Sequence, residues 1–149
     1  MSEATPEFKQ RLQEAFDEMH VGQTFTFRRT FTDGDVAIFC GVTDDHNPYH
    51  QDEAIARESP YGRLTITGLL TESMLMHIGG LLRFLATEMS FEYLAPVFVG
   101  DSVSCTVTVA EKDKAKRRDA ASAGFFNQDG VEVLRARLSG FPGRIRLAR

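Results

Sequence analysis

Thr67-Gly68-Leu69-Leu70-Thr71-Glu72-Ser73-Met74-Leu75-Met76-His77-Ile78-Gly79-Gly80 is the longest apolar-periodic stretch of this 149-residue chain. Leu69, Leu70, Met74, Leu75 and Ile78 recur at helical spacing, Thr67 is well placed as an N-cap, and Gly79-Gly80 is expected to break the helix. Glu72 is its only formal charge. A helix so poor in charge is usually surrounded by protein, so it is expected to be the central element of the fold. After it the character changes. Segments 84–94, 102–112, 117–127 and 131–141 are rich in Val, Thr and Phe and read as strands, and Gln128-Asp129-Gly130 carries a hairpin signal. Consecutive strands joined by short turns imply an antiparallel sheet. One strand before the helix and about four after it predict an α+β domain in which a curved sheet wraps around the central helix.

Upstream, Phe8, Leu12, Ala15, Phe16 and Met19 follow Pro6 at three- and four-residue steps, which predicts an amphipathic N-terminal helix ending near His20-Val21-Gly22. Phe25, Phe27 and Phe31 then alternate with Thr and Arg, as in a strand with one buried face. Thr32-Asp33-Gly34-Asp35 has the form of a capping box and opens a short helix that turns Val36, Phe39, Cys40 and Val42 or Thr43 to the core. Asp52 to Glu58 reads as another short helix and Ser59 to Arg63 as a turn. The whole chain, 1–149, is expected to be one domain, with residues 1–20 as an N-terminal helical extension and a core over about 22–141.

Composition narrows the function classes. With 42% hydrophobic and 26% charged residues the chain is too apolar for a disordered one, and its net charge of −4 argues against nucleic acid as a partner. No apolar run approaches a membrane span, so no membrane partner is expected. Met1 to Glu7 is acidic and lacks a signal-peptide pattern, which makes a cytoplasmic location the default expectation. Cys40 and Cys105 both sit in apolar-patterned segments and read as buried free thiols.

The chemistry-bearing stretch is Cys40-Gly41-Val42-Thr43-Asp44-Asp45-His46-Asn47-Pro48-Tyr49-His50. On an unbroken helix, residues five apart point about 140° from each other, so Asp45 and His50 could not share a target. Pro48 is expected to end the helix here and to bias Asn47 towards an extended backbone, which lets the two side chains converge. A carboxylate and an imidazole aimed at one point can hold and activate a water molecule, a general acid/base arrangement. His46 and His50 are four apart, but Pro48 breaks the helical spacing that a His-x-x-x-His metal site needs, so no metal is expected. His77 reads as a packed or exposed helix histidine.

These residues resemble the MaoC-like, R-specific enoyl-CoA hydratases of the hotdog superfamily. The family motif runs Gly-Asp-any-Asn-Pro-any-His, followed after five residues by a small one; here it stands as Asp44-Asp45-His46-Asn47-Pro48-Tyr49-His50 with Ala56. Gly62-Arg63, Gly68-Leu69-Leu70 with Ser73, and Leu94-Ala95-Pro96-Val97-Phe98-Val99-Gly100-Asp101, expected on a strand, are further matches. The resemblance spans about Gly22 to Phe141. Asp44 stands where the family usually has glycine, and Thr67 where it commonly has histidine. Asp44 either raises the pKa of Asp45 or points outward.

The resemblance implies a hotdog fold and reversible hydration of a trans-2-enoyl thioester to the (R)-3-hydroxyacyl form. Asp45 and His50 would be catalytic, and Gly68 would offer its backbone N–H to the thioester carbonyl. Asn47 and Ser73 would support the dyad from behind, Asn47 by shaping the turn and Ser73 by orienting it. No metal or redox cofactor is implied; coenzyme A or acyl carrier protein enters as part of the substrate. A homodimer is implied, its sheets joined edge to edge and its cleft at the interface. Leu69, Met74, Phe84 and Phe91 are candidates for setting pocket depth. The mixed-sign run Glu111 to Asp119 reads as a solvated hairpin, with contact to coenzyme A phosphates as the weaker alternative for it and for Arg144, Arg146 and Arg149. Two rival readings remain: a hotdog thioesterase, which would release free thiol, and a non-catalytic acyl-thioester binding or partner subunit of a heterodimeric dehydratase, which would bind without turnover.

Overall fold

The computed structural model describes residues 3–142. Helix α1 (Pro6–Glu18) is capped by Thr5, whose hydroxyl accepts from Phe8 N, and buries Ala15 and Phe16. Strand β1 (Thr24–Thr30) leads to Phe31, which is wholly buried, and then to α2 (Asp33–Thr43). The expected capping box is present: Asp35 N donates to the Thr32 hydroxyl at 3.2 Å and Thr32 N to the Asp35 carboxylate at 2.9 Å. Short helices α3 (Pro48–Gln51) and α4 (Glu53–Glu58) follow, then α5 (Gly68–Glu72) and α6 (Met74–Leu82). Ser73 between the last two keeps right-handed helical angles, so α5 and α6 form one nearly continuous rod.

Strands β2 (Leu85–Tyr93), β3 (Ser102–Asp113), β4 (Arg118–Phe126) and β5 (Glu132–Phe141) complete an antiparallel five-stranded sheet in the order β1-β3-β4-β5-β2. Leu70, Met74, Leu75 and Ile78 of the rod share one core with Val103, Cys105, Phe125, Val133 and Leu134 of the sheet. The fold is thus the expected α+β sheet wrapped on a central helix. Both cysteines are buried and free, and burial pushes the Cys105 thiol up to about 12.

Four expectations need correction. The central helix does not stop at Gly79-Gly80 but runs to Leu82, where Arg83 adopts a left-handed conformation and the Arg83 and Phe84 N–H groups bond the Gly80 and Gly79 carbonyls at 3.3 and 2.8 Å. Two glycines cost a helix about 1 kcal/mol each relative to alanine, which packing against the sheet outweighs. Nor is the rod enclosed: Leu69, Met76 and Leu81 are all more than half exposed, and four residues beyond Leu81 the open edge of β2 begins with Leu85, 73% exposed. The segment Leu94 to Asp101 is not a strand, since β2 ends at Tyr93 and only Phe98 makes an isolated bridge, to Thr65. The buried Asp101 carboxylate shapes that loop by accepting from Phe98 N at 3.0 Å and Gln128 Nε2 at 3.1 Å. Finally, the charged hairpin of 111–119 is not all solvated, because Lys112 and Asp119 turn inward. Arg144, Arg146 and Arg149 lie outside the described residues.

The closest backbone approach in the sheet fixes a test of this architecture. A Cβ on Gly140 would stand 2.1 Å from the Leu85 carbonyl oxygen and 2.8 Å from Ala86 Cα, whereas one on Gly80 would meet nothing within 4 Å. Gly140→Ala is expected to lower unfolding stability by about 3 kcal/mol, because backbone must move, and Gly80→Ala to raise it by about 0.5–1 kcal/mol. Chemical denaturation of both variants checks this; equal effects would show that β2 does not cross β5 so closely.

Candidate functional site

The dyad is assembled by a turn that begins earlier than Pro48. Helix α2 ends at Thr43, and Asp44 takes the left-handed conformation with φ 59° and ψ 29°. That is a usual C-terminal position for glycine, the residue the resembling family has here. Asp44 tolerates it and points outward: its carboxylate pairs with His46 Nε2 at 2.8 Å, both side chains largely solvated. Pro48 therefore does not end the helix; it opens the next one. It occupies the first turn of α3, where its missing N–H is no loss, behind Asn47 as N-cap. The Asn47 side chain accepts from Tyr49 N at 3.2 Å, and Asp45 Oδ1 accepts from Asn47 N at 3.1 Å. Gln51 Nε2 closes the turn by donating to the Asp45 carbonyl at 2.8 Å.

His50 is held from behind. Its Nδ1 lies 2.9 Å from the Thr65 carbonyl and 3.2 Å from the Thr65 hydroxyl. A carbonyl can only accept, so Nδ1 carries the proton, and in the neutral ring Nε2 is left with a lone pair. That Nε2 faces Asp45 Oδ2 across 3.9 Å. The gap is too long for a direct hydrogen bond but suits a water sitting about 2.8 Å from each atom. The His50 side chain is 13% exposed and that of Asp45 36%, so the imidazole sits within and the carboxylate nearer the mouth. Thr65 is itself fixed, its N–H on the Tyr49 carbonyl at 3.0 Å and the next N–H, of Ile66, on the Val97 carbonyl at 2.9 Å.

Gly68 stands at the wall of the same pocket, a cavity of about 400 Å³ that Asn47, His50, Thr65, Thr71 and Tyr93 also line. The Thr67 hydroxyl caps the rod through Leu70 N at 3.2 Å, so the N–H groups of Gly68 and Leu69 have no acceptor among the described residues. A Cβ at Gly68 would come within 2.4 Å of the Tyr93 ring, so a larger residue would have to push that ring aside. The Tyr93 hydroxyl donates to Glu72, and burial, reinforced by that carboxylate, pushes the phenol up to about 12. It is a permanent donor at neutral pH.

Asn47, His50 and Gly68 thus line one pocket and Asp45 faces His50 across 3.9 Å, while Ser73 is not part of that lining. Its hydroxyl, expected to orient the dyad, donates to the Leu70 carbonyl at 2.6 Å, at the junction of α5 and α6. The orienting group is Thr65 instead. His77 is a packing residue, stacked on Phe27 with ring centres 3.9 Å apart. Thr65 and Tyr93 escape sequence reading because their partners lie far along the chain. The one available signal was the Leu64-Thr65-Ile66-Thr67 alternation directly before the helix.

Comparison with known proteins places the chain in a family. The model of the MaoC like domain matches residues 17–124. The (R)-specific enoyl-CoA hydratase of Aeromonas caviae is 30% identical over 122 residues, covering 76% of this chain and 87% of its own length. The 3-hydroxybutyryl-CoA dehydratase of Methylorubrum extorquens is 30% identical over 109 residues, covering 69% of this chain and 68% of that protein. Among solved structures, the (R)-hydratase from A. caviae superimposes with a TM-score of 0.80 at 26% identity, over 84% of this chain and 98% of that one. An R-hydratase from Pseudomonas aeruginosa, at 22% identity over 90% of this chain and 91% of its own, shares the fold with a TM-score of 0.82. With the motif, the wrapped helix and these matches in place, the chain belongs to the MaoC-like hydratase and dehydratase domain family.

Proposed function

We propose that the protein is an (R)-specific enoyl-CoA hydratase, adding water reversibly to a trans-2-enoyl thioester. The observation that carries this reading is the His50 ring, pinned through Nδ1 so that its basic Nε2 faces Asp45 across a water-sized gap. The dyad holds water and removes a proton from it; the oxygen bonds the β-carbon, and the dyad returns a proton to the α-carbon. Negative charge building on the thioester oxygen is met by the free N–H of Gly68 and the positive end of the helix behind it. The A. caviae and M. extorquens relatives, named for a hydratase and a dehydratase, support the same chemistry in its two directions. Coenzyme A or acyl carrier protein is part of the substrate, with no further cofactor required by the mechanism.

The same reading includes a homodimer paired along the β2 edge. This strand is exposed on nearly its whole length, and its Leu85 end follows the rod's exposed Leu81 by four residues. A two-fold axis makes the paired β2 strands antiparallel, so the Leu85 end of one copy lies beside the Tyr93 end of the other.

Incubation with crotonyl-CoA is expected to remove the conjugated enoyl absorbance without releasing free thiol. Thiol release would identify a thioesterase, and acyl-CoA binding without turnover of short or long enoyl thioesters a partner subunit. Asp45→Asn and His50→Ala are each expected to lower turnover by more than roughly a hundredfold with the fold intact, as loss of general acid/base catalysis requires. Normal turnover in either variant sinks the mechanism. Gly68→Val is expected to damage thioester binding and turnover while the circular dichroism spectrum stays native-like; full retention of both would remove Gly68 from the carbonyl site. For the dimer, sedimentation should find two chains for the wild type and at least about a tenfold weaker association for Leu85→Glu, from desolvating a charge at the interface. A wild-type monomer would exclude the pairing.

A further inference from the structure

At the opposite end of the central rod lies a second, larger cavity of about 700 Å³, within the size range of small-ligand sites. Leu12, Phe25, Leu75, Gly79 and Met89 contribute to its carbon wall, which Asp119 of β4 and Arg83 at the end of α6 interrupt. Asp119 is only 2% exposed, and neither of its carboxyl oxygens has a hydrogen-bond partner among the described residues. Burial pushes its carboxyl above the ordinary range, against the pull of Lys112. Lys112 is its register partner on β3, yet the ammonium is spent elsewhere: it donates to the carbonyls of Phe16 and of Met19, the latter at 2.7 Å, and rests 4.1 Å over the Phe16 ring. Lys112 thus ties the end of α1 to the sheet and supplies Asp119 with charge but no hydrogen bond. A carboxyl left so carries an uncompensated desolvation cost, which a leucine of similar bulk would not.

We propose that this cavity is a binding site for an apolar molecule carrying a single hydroxyl group, whose oxygen and proton are held by the Asp119 carboxyl. A hydroxyl both donates and accepts, so it satisfies the carboxyl in either protonation state. Two sources offer this chemistry: a free alcohol, or the hydroxylated tail of an acyl thioester. The second rests on the hydratase reading, since antiparallel pairing of β2 brings this cavity of one copy beside the catalytic pocket of the other.

The test is direct binding of 4-phenylbutan-1-ol and butylbenzene to the full-length protein, followed by calorimetry. The wild type is expected to prefer the alcohol. Asp119→Leu should weaken the alcohol by about tenfold, the loss of one buried hydrogen bond, and tighten the hydrocarbon, whereas Asp119→Asn keeps the alcohol within a few-fold. Gly79→Phe, at a position where a Cβ meets nothing nearer than the Phe84 carbonyl at 3.9 Å, should fill the cavity and remove both ligands without touching Asp119. Binding of neither probe to the wild type, the same preference in wild type and Asp119→Leu, or binding indifferent to Gly79→Phe would each overturn the site. Competition of the alcohol with 2-decenoyl-CoA but not with crotonyl-CoA supports the acyl-tail source, and binding that leaves both thioesters unaffected supports the free alcohol. If neither thioester is turned over, the hydratase reading fails while the binding comparison still decides the cavity.

Discussion

The bond from His50 Nδ1 to the Thr65 carbonyl is the constraint on which the site depends. It joins two segments that sequence leaves apart, the turn after α2 and the approach to the central helix. One contact does three things. It selects the ring tautomer, it aims the basic nitrogen at Asp45, and it ties the dyad to the strand-like residues that deliver Gly68 two positions after Ile66. Because Thr65 and Ile66 are in turn bonded to the Tyr49 and Val97 carbonyls, the imidazole inherits the rigidity of a backbone network rather than that of a side chain. A hydroxyl such as that of Ser73 could have oriented the ring only by rotating, and it is used instead to stitch α5 to α6.

Much of this was legible in the chain. The amphipathic spacing from Phe8 to Met19, the Thr32 capping box, the charge-poor helix and the four late strands all appear where local pattern placed them, because each is decided by interactions a few residues apart. The pairing of Asp45 with His50 was legible for the same reason. What local pattern could not reach was whatever depends on a distant partner: Thr65 behind His50, Tyr93 against Gly68, and the loop of 94–101, whose apolar residues look like a strand but whose backbone is taken by Asp101. Asp44 and Pro48 show a subtler limit. Both residues mark the turn, but only φ reveals that the left-handed Asp44 terminates α2 and that the proline starts α3.

The charge pattern misled in one direction at each end of the rod. A helix with a single carboxylate was expected to be enclosed, yet one chain leaves Leu69, Met76 and Leu81 uncovered, and the open β2 edge begins four residues beyond Leu81. Low charge on a helix therefore does not mean that the single chain covers it. Conversely, a run as charged as 111–119 was expected in water, yet Lys112 and Asp119 are register partners on the sheet's inward face, beyond a register shift after Val109.

Absence of side chains organises the molecule as much as their presence. Gly68 lacks the Cβ that would strike the Tyr93 ring, so the ring can close one wall of the pocket while the helix N–H stays accessible from within it. Gly140 lacks the one that would strike Leu85, which lets β2 cross β5 closely enough to remain in the sheet. Gly79 was read as a helix breaker; its effect is instead to leave room, because its helical hydrogen bonds survive while the space its side chain would fill joins the apolar cavity. The three glycines therefore act through volume rather than through backbone freedom. Gly68 and Gly79 border the two pockets along one helix, the one that His50 lines at its N-terminal end and the larger one at its C-terminal end.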